Sequence, residues 1–329
     1  MSEFGRGYCQ HPKADPAVCD RKVIDAHTIQ KRGGIEAIQE SKHVLTTKLN
    51  FQTLFKNNGR PVLRRIGVNQ ASTFKGFCAK HDTEMFREIE ARHVNIDQRA
   101  AFLFSFRAVA YEKLAKEAAI KGAAATRDAD RGRPIHVQIG IQNYVQAYEQ
   151  GLTLGLRDVE RAKVKYDKMF IEEDFSKYHF YGVAFDSVVP FVACGTFLPE
   201  VSFSGKRLQT LGVSAELDDL AFTLTSFGGD SVAVFGWMGS LAGPSANFVD
   251  SFDAIPDADK GNALARFVFE HFENTYVRPS WWDGLAIKEK DSLLARVRSG
   301  TPDRDRKLGS LVDDGFQLVT AAVVRKARA

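Results

Sequence analysis

Four residues in this chain have the types and the spacing to hold a soft divalent metal. Cys9 and Cys19 lie close to the amino terminus, and Phe77-Cys78-Ala79-Lys80-His81-Asp82 places a Cys-x-x-His pair at the start of an expected helix. Thiolates and a neutral imidazole suit a borderline-soft cation, and an i, i+3 pair on a helix turns both donors to one side. The expectation is therefore a structural Zn²⁺ held by Cys9, Cys19, Cys78 and His81. His27 is a rival for the fourth position and His11 a further candidate. The nine residues between Cys9 and Cys19 include Pro12 and Pro16, so this half of the site reads as a loop rather than a tight knuckle.

Composition narrows the setting. Four cysteines among 329 residues are too few for a disulfide framework, which leaves thiols free for metal in a reducing compartment. The fourth, Cys194, sits in the apolar run Val188-Val189-Pro190-Phe191-Val192-Ala193-Cys194 and reads as a buried, inert thiol. No run approaches the roughly 18 apolar residues of a membrane span, and residues 1–7 lack the apolar core of a signal peptide, so a soluble cytoplasmic protein without membrane contact is expected. Net charge is +4, but residues 1–95 hold 16 Lys/Arg against 10 Asp/Glu. Lys56, Arg60, Arg64 and Arg65 cluster within that surplus and are the candidates for contact with a DNA or RNA backbone.

The elements that must position the metal residues are legible in outline. Val23–Ile29 is rich in branched residues and predicts a short strand with His27 near its centre, ended by Gly33-Gly34. A short helix is expected over 34–42. His43–Leu49 predicts a second strand, and Asn57-Asn58-Gly59 makes 43–66 a hairpin or a pair of strands. Beyond Cys78, Phe86 and Ile89 keep a helical interval.

Asp97 caps a helix over about 97–122, in which Phe102, Phe106, Ala110, Leu114 and Ala118 repeat every four residues. Arg107, Tyr111 and Glu112 on this helix read as a polar network beneath the metal residues. A longer helix follows from Ile141 to Met169, long enough to pack against a protein partner or a second copy of the chain. After residue 175 short strands predominate. The clearest are Leu220–Thr225 and Val232–Trp237, joined through Gly228-Gly229-Asp230 as an antiparallel hairpin. Helices are expected over 259–275 and 285–298, and Phe316–Val324 is open to helix or strand.

The expected fold class is α+β in three parts: a zinc-binding module (1–95), a helical segment with a long helix (96–175) and a mixed α/β part with the hairpin (176–329). No Walker loop, dinucleotide fingerprint, nucleophile elbow or His-Glu-x-x-His motif occurs.

Residues 9–90 resemble the treble-clef and HNH-type zinc modules of ββα form. Ala26-His27-Thr28-Ile29 is similar to their His-bearing strand, and Phe77-Cys78-Ala79-Lys80-His81-Asp82 to their helix start. The same two stretches resemble uncharacterised bacterial proteins with Ser/Ala-His-Thr-Ile and Phe-Cys-x-x-His-Asp motifs. The resemblance implies a metal-dependent nuclease with a place in bacterial defence. His27 would be its general base, Asp82 would sit at a catalytic Mg²⁺ or Mn²⁺, Asp25 would assist, and Asn69 or Asn50 would orient the histidine. Two departures stand: Ala26 occupies a position where such enzymes carry a metal donor, and Asn69 lies far from Cys78. The alternative is a non-enzymatic interaction protein in which zinc only stabilises the amino-terminal module, with His27 a ligand or a core histidine.

Overall fold

The computed structural model describes residues 7–20, 22–47, 57, 60–91, 94–212, 216–299 and 307–329. Along the chain run β1 (Ala26–His27), a π-type turn at Lys31–Ile35 that leads into the short α1 (Glu36–Ile38), β2 (His43–Thr46), β3 (Arg64–Gly67), β4 (Thr73–Phe74) and α2 (Ala79–Phe86). Two long helices follow, α3 (Gln98–Thr126) and α4 (Ile135–Glu172). Then come β5 (Tyr178–Phe185), β6 (Phe191–Phe197), β7 (Leu220–Phe227), β8 (Asp230–Met238), α5 (Pro244–Asp253) and α6 (Lys260–His271). The chain closes with β9 (Thr275–Val277), α7 (Pro279–Gly284), α8 (Ile287–Ser299) and β10 (Val323–Arg328). No described helix is long and apolar enough to cross a membrane.

Eight strands form one sheet in the order β10-β5-β8-β7-β6-β9-β2-β3, and every pairing in it is antiparallel. The expected hairpin is its centre: Leu220 faces Trp237 and Phe227 faces Asp230 around Gly228 and Gly229, both at positive φ. Side chains alternate between two buried faces. Tyr181, Val183, Phe222 and Phe235 pack with Phe248 and Phe252 of α5 and Phe267 of α6. Tyr178, Phe180 and Val234 pack with Phe102 and Phe106 of α3 and Tyr166 of α4. The result is a mixed α and β architecture with the sheet between two helical layers, which is why β7 is buried along its whole length.

The beginning of α3 is buried on every side from Ala100 to Tyr111, because the sheet lies on one flank and α4 with the amino-terminal segment on the other. Asp97 caps it as expected, Oδ1 accepting from the Ala100 amide at 2.9 Å. Three expectations change. The strand foreseen over 23–29 shortens to β1 plus a single bridge from Val23 to Cys78. The 43–66 hairpin does form, with Thr46 opposite Arg64, but β2 also pairs with β9 and so makes an edge of the main sheet. Pro279 is the first residue of α7, and α5 likewise starts on a proline, Pro244. Residues 316–322 are irregular, and the strand there begins only at Val323.

A buried network ties the β1 segment to the sheet. Thr28 and Ser72 share a hydroxyl contact, and the Ile29 amide donates to Ser72 Oγ at 2.8 Å. Asn274, beside β9, donates to Thr28 Oγ1 at 2.8 Å and to the Cys194 carbonyl at 3.1 Å, and accepts from the Tyr276 hydroxyl at 3.1 Å. Asn274→Ala would leave these buried groups unmet, so chemical denaturation is expected to show a loss of about 1–3 kcal/mol. An unchanged midpoint would mean that the network contributes nothing to docking.

Candidate metal centre

Cys9, Cys19, Cys78 and His81 meet in space. Their donor atoms all lie within 4.8 Å of one another, and among the described residues they are the one such group of His, Cys, Asp and Glu side chains. His81 Nδ1 is the hub, at 3.3 Å from Cys9 Sγ, 3.4 Å from Cys78 Sγ and 3.5 Å from Cys19 Sγ. A single imidazole nitrogen has one proton or one lone pair, so it cannot satisfy three thiols by hydrogen bonding. Bond lengths of about 2.3 Å to sulfur and 2.0–2.1 Å to nitrogen, at a tetrahedral angle, give a sulfur–nitrogen separation of roughly 3.5 Å. The observed distances are those of ligands around a shared cation, and the donor set fits a metal such as zinc.

Local structure explains how each donor arrives. Cys78 is the N-cap of α2, in extended conformation, and His81 falls in the first turn. The Ile24 amide donates to the Phe77 carbonyl at 3.0 Å, clipping the loop after Cys19 to the helix start. Asp20 accepts from the Lys80 amide at 2.9 Å and places a negative charge at the α2 amino end. Asp15 accepts from the Ala17 amide at 2.7 Å, and its carbonyl accepts from Cys19 at 2.8 Å, shaping the 9–19 loop. Gln10 bonds the Ala110 carbonyl at 2.7 Å, and Lys163 of α4 donates to the Gln10 carbonyl at 2.9 Å. The loop is thus seated on both long helices.

The surroundings treat two of the thiols differently. Burial pushes the Cys9 thiol up to about 11, whereas at Cys78 burial is outweighed by hydrogen bonds from the His81 and Asp20 amides, which hold the thiol below its ordinary range. His11 is not in the donor set; it stacks on His81, with ring centroids 4.0 Å apart and an interplanar angle of 5°. Burial, then the neighbouring His81, lowers its pKa to about 4.

His27 also lies outside the quartet. It sits on β1 opposite Thr73, half-buried, with Nε2 shielded from solvent and without a hydrogen-bond partner among the described residues. Burial lowers its pKa, so the neutral imidazole prevails at pH 7. Asp82 on α2 is half-buried with Oδ1 equally unmet, its pKa raised by burial and opposed by Arg107. Both His27 and Asp82 lie in the field of Glu90 and Arg107. Arg107 was legible as part of a polar network, but Glu90, in the turn after α2, carries no sequence signal of its own.

The remaining candidates scatter. Asp25 is 58% exposed, 3.9 Å from Lys75, and Asn69 is exposed. Arg64 and Arg65 lie on β3 at the sheet edge, and exposed Arg60 borders a cleft with Arg298 and Lys307. Lys56 and Asn50 fall outside the described residues. Cys194 is fully buried, as expected. Comparison with protein-family models, with curated proteins and with solved structures finds no match to the chain.

Removing one ligand tests the centre. Cys78→Ala is expected to lower bound zinc roughly tenfold or more and to expose the 9–19 loop to protease, both measured on purified protein. Zinc content equal to that of the unaltered chain would refute the quartet. Metal uptake at pH 7 should also release about two to three protons, because the Cys9 thiol in particular is protonated there. Affinity should accordingly fall as pH falls, and calorimetry in buffers of different ionisation enthalpy reads the proton count.

Proposed function

We propose that the chain is a zinc-stapled protein that acts on nucleic acid, with Cys9, Cys19, Cys78 and His81 as its structural zinc centre and His27 as a general base for phosphodiester hydrolysis. The observation that supports zinc is the approach of three sulfurs to one nitrogen. Four protein donors close the coordination sphere, which is the structural type of site, so any chemistry has to lie beside it. β1, β4 and α2 supply that neighbouring face: the β1–β4 pair is followed by the helix that starts at the metal ligands, an order that fits the HNH resemblance.

On this reading His27, neutral at pH 7, accepts a proton from the attacking water. Asp82 is the carboxylate for Mg²⁺ or Mn²⁺, whose contribution is to polarise the phosphate. Asp25, exposed two residues before His27, assists as an acidic neighbour whose charge bears on it. Arg60, Arg64 and Arg65 are the proposed contacts with the DNA or RNA backbone.

A second reading keeps the zinc and drops the chemistry. Ala26 offers no donor beside His27, and among the described residues no second group of three metal-binding side chains gathers within 4.8 Å. The deciding assay incubates zinc-loaded protein with plasmid and single-stranded substrates in Mg²⁺ or Mn²⁺, beside a His27→Ala variant of equal zinc content. Cleavage slowed by about 10²-fold or more in the variant is expected. Equal cleavage in both preparations removes His27 from catalysis, and absence of cleavage by the unaltered chain favours the stapled, non-enzymatic protein.

A further inference from the structure

α4 carries two apolar seams, and the rest of the chain covers one of them. The covered seam passes through Val145, Leu156 and Val159, with Val145 and Val159 buried where α4 lies along α3. The other lies about a quarter of a turn away around the helix and consists of Val137, Gly140, Tyr144, Ala147, Gly151 and Leu154. Its spacing alternates three and four residues, the repeat of a helix that packs against another helix. Yet Gly140, Tyr144, Ala147 and Gly151 are exposed, and Val137 and Leu154 are only half-buried. The two glycines weaken the helix without serving this chain's own packing, since a Cβ at either would meet nothing within 4 Å. What they do allow is the close approach of a second backbone.

The open seam is complementary to itself. Turned end to end about a point between Val145 and Gln146, it sets Gly140 opposite Gly151, Val137 opposite Leu154, and the large Tyr144 opposite the small Ala147. Charge agrees with this pairing. From Ile135 to Leu156 the sole Asp, Glu, Lys or Arg is Glu149, which lies on the far side of the helix and accepts from Arg127 Nε at 3.1 Å. No like charges therefore meet across the seam. The next positions beyond its ends are Arg133, just before the helix, and Asp158, which Arg157 also holds; the same rotation brings these opposite signs together. A face without cations offers nothing to a phosphate backbone, whereas a second copy of the chain matches it in pattern and in charge.

We propose that this face of α4 is a self-association surface, on which a second copy of the chain docks antiparallel about a two-fold axis between Val145 and Gln146. The seam is about 26 Å long. That is small beside obligate dimers, whose interfaces bury about 2,000 Å² or more, so the pair is expected to form at micromolar concentration and to separate on dilution. The inference does not depend on the reading of His27 as a base.

Sedimentation equilibrium of the full chain across the micromolar range tests it, and a monomer–dimer equilibrium is expected. Ala147→Glu, at an exposed position, sets two like charges beside the axis and should weaken the dimer about tenfold or more. Gln146→Glu adds the same charge to an exposed residue off the seam and should leave the equilibrium unchanged. The direction of pairing is read separately by cross-linking. Val137→Cys chains mixed with Leu154→Cys chains should form a disulfide-linked pair under mild air oxidation, and neither preparation alone should, the native cysteines being present alike in all three samples. A monomer at every concentration, a dimer indifferent to Ala147→Glu, or a pair linked through Val137→Cys alone overturns the proposal.

Discussion

Three sulfurs crowd one imidazole nitrogen, and the amino-terminal part of the fold is arranged around that convergence. Without a cation the contact makes little physical sense, since one nitrogen serves one hydrogen bond. With a cation it becomes a tether between a loop with little secondary structure of its own and the first turn of α2. Closing such loops costs only slowly more with length, about 0.6 kcal/mol for each doubling. Structural zinc binding in small modules is worth roughly 10–16 kcal/mol, so the metal can hold a segment that has few strands to hold it otherwise.

The tether acts through α3. That helix is covered by the sheet, by α4 and by the amino-terminal segment that carries Cys9 and Cys19, so its early turns have no solvent face on which to place a charge. Arg107 is there nonetheless. Its guanidinium joins the turn after α2 to the protein interior through Glu90 and Phe86. On the far side of the same segment, Asn274 and Tyr276 bind Thr28 through a buried network. β1 and α2 are therefore approached from three directions, by the Cys9–Cys19 loop, by Arg107 and by the sheet.

Much of this was legible in the residues themselves. The four clustered side chains were recognisable as candidate donors because cysteine and histidine at i, i+3 on a helix have few other uses together, and α3 and α4 because an apolar repeat sustained over many turns is hard to read otherwise. The β7–β8 hairpin was announced by Gly228-Gly229. What stayed hidden depends on partners distant in sequence. β9 is three residues long, too short to carry a pattern, yet it is the strand that turns the β2–β3 hairpin into a sheet edge. Strand propensity over 23–29 yielded to the hydroxyl contacts of Thr28 and Ser72, which leave only β1. Glu90 resembles any surface glutamate until the fold sets Arg107 beneath it. The comparisons supply no relative from which these pairings could have been carried over.

The central claim is that one metal sits among Cys9, Cys19, Cys78 and His81. Zinc-edge X-ray absorption on protein purified without added metal tests it most directly, because the spectrum reports ligand types and distances without a crystal. The account predicts three sulfur scatterers near 2.3 Å and one nitrogen near 2.0–2.1 Å around zinc. A shell of oxygen and nitrogen alone, or protein that carries no metal at all, would contradict it.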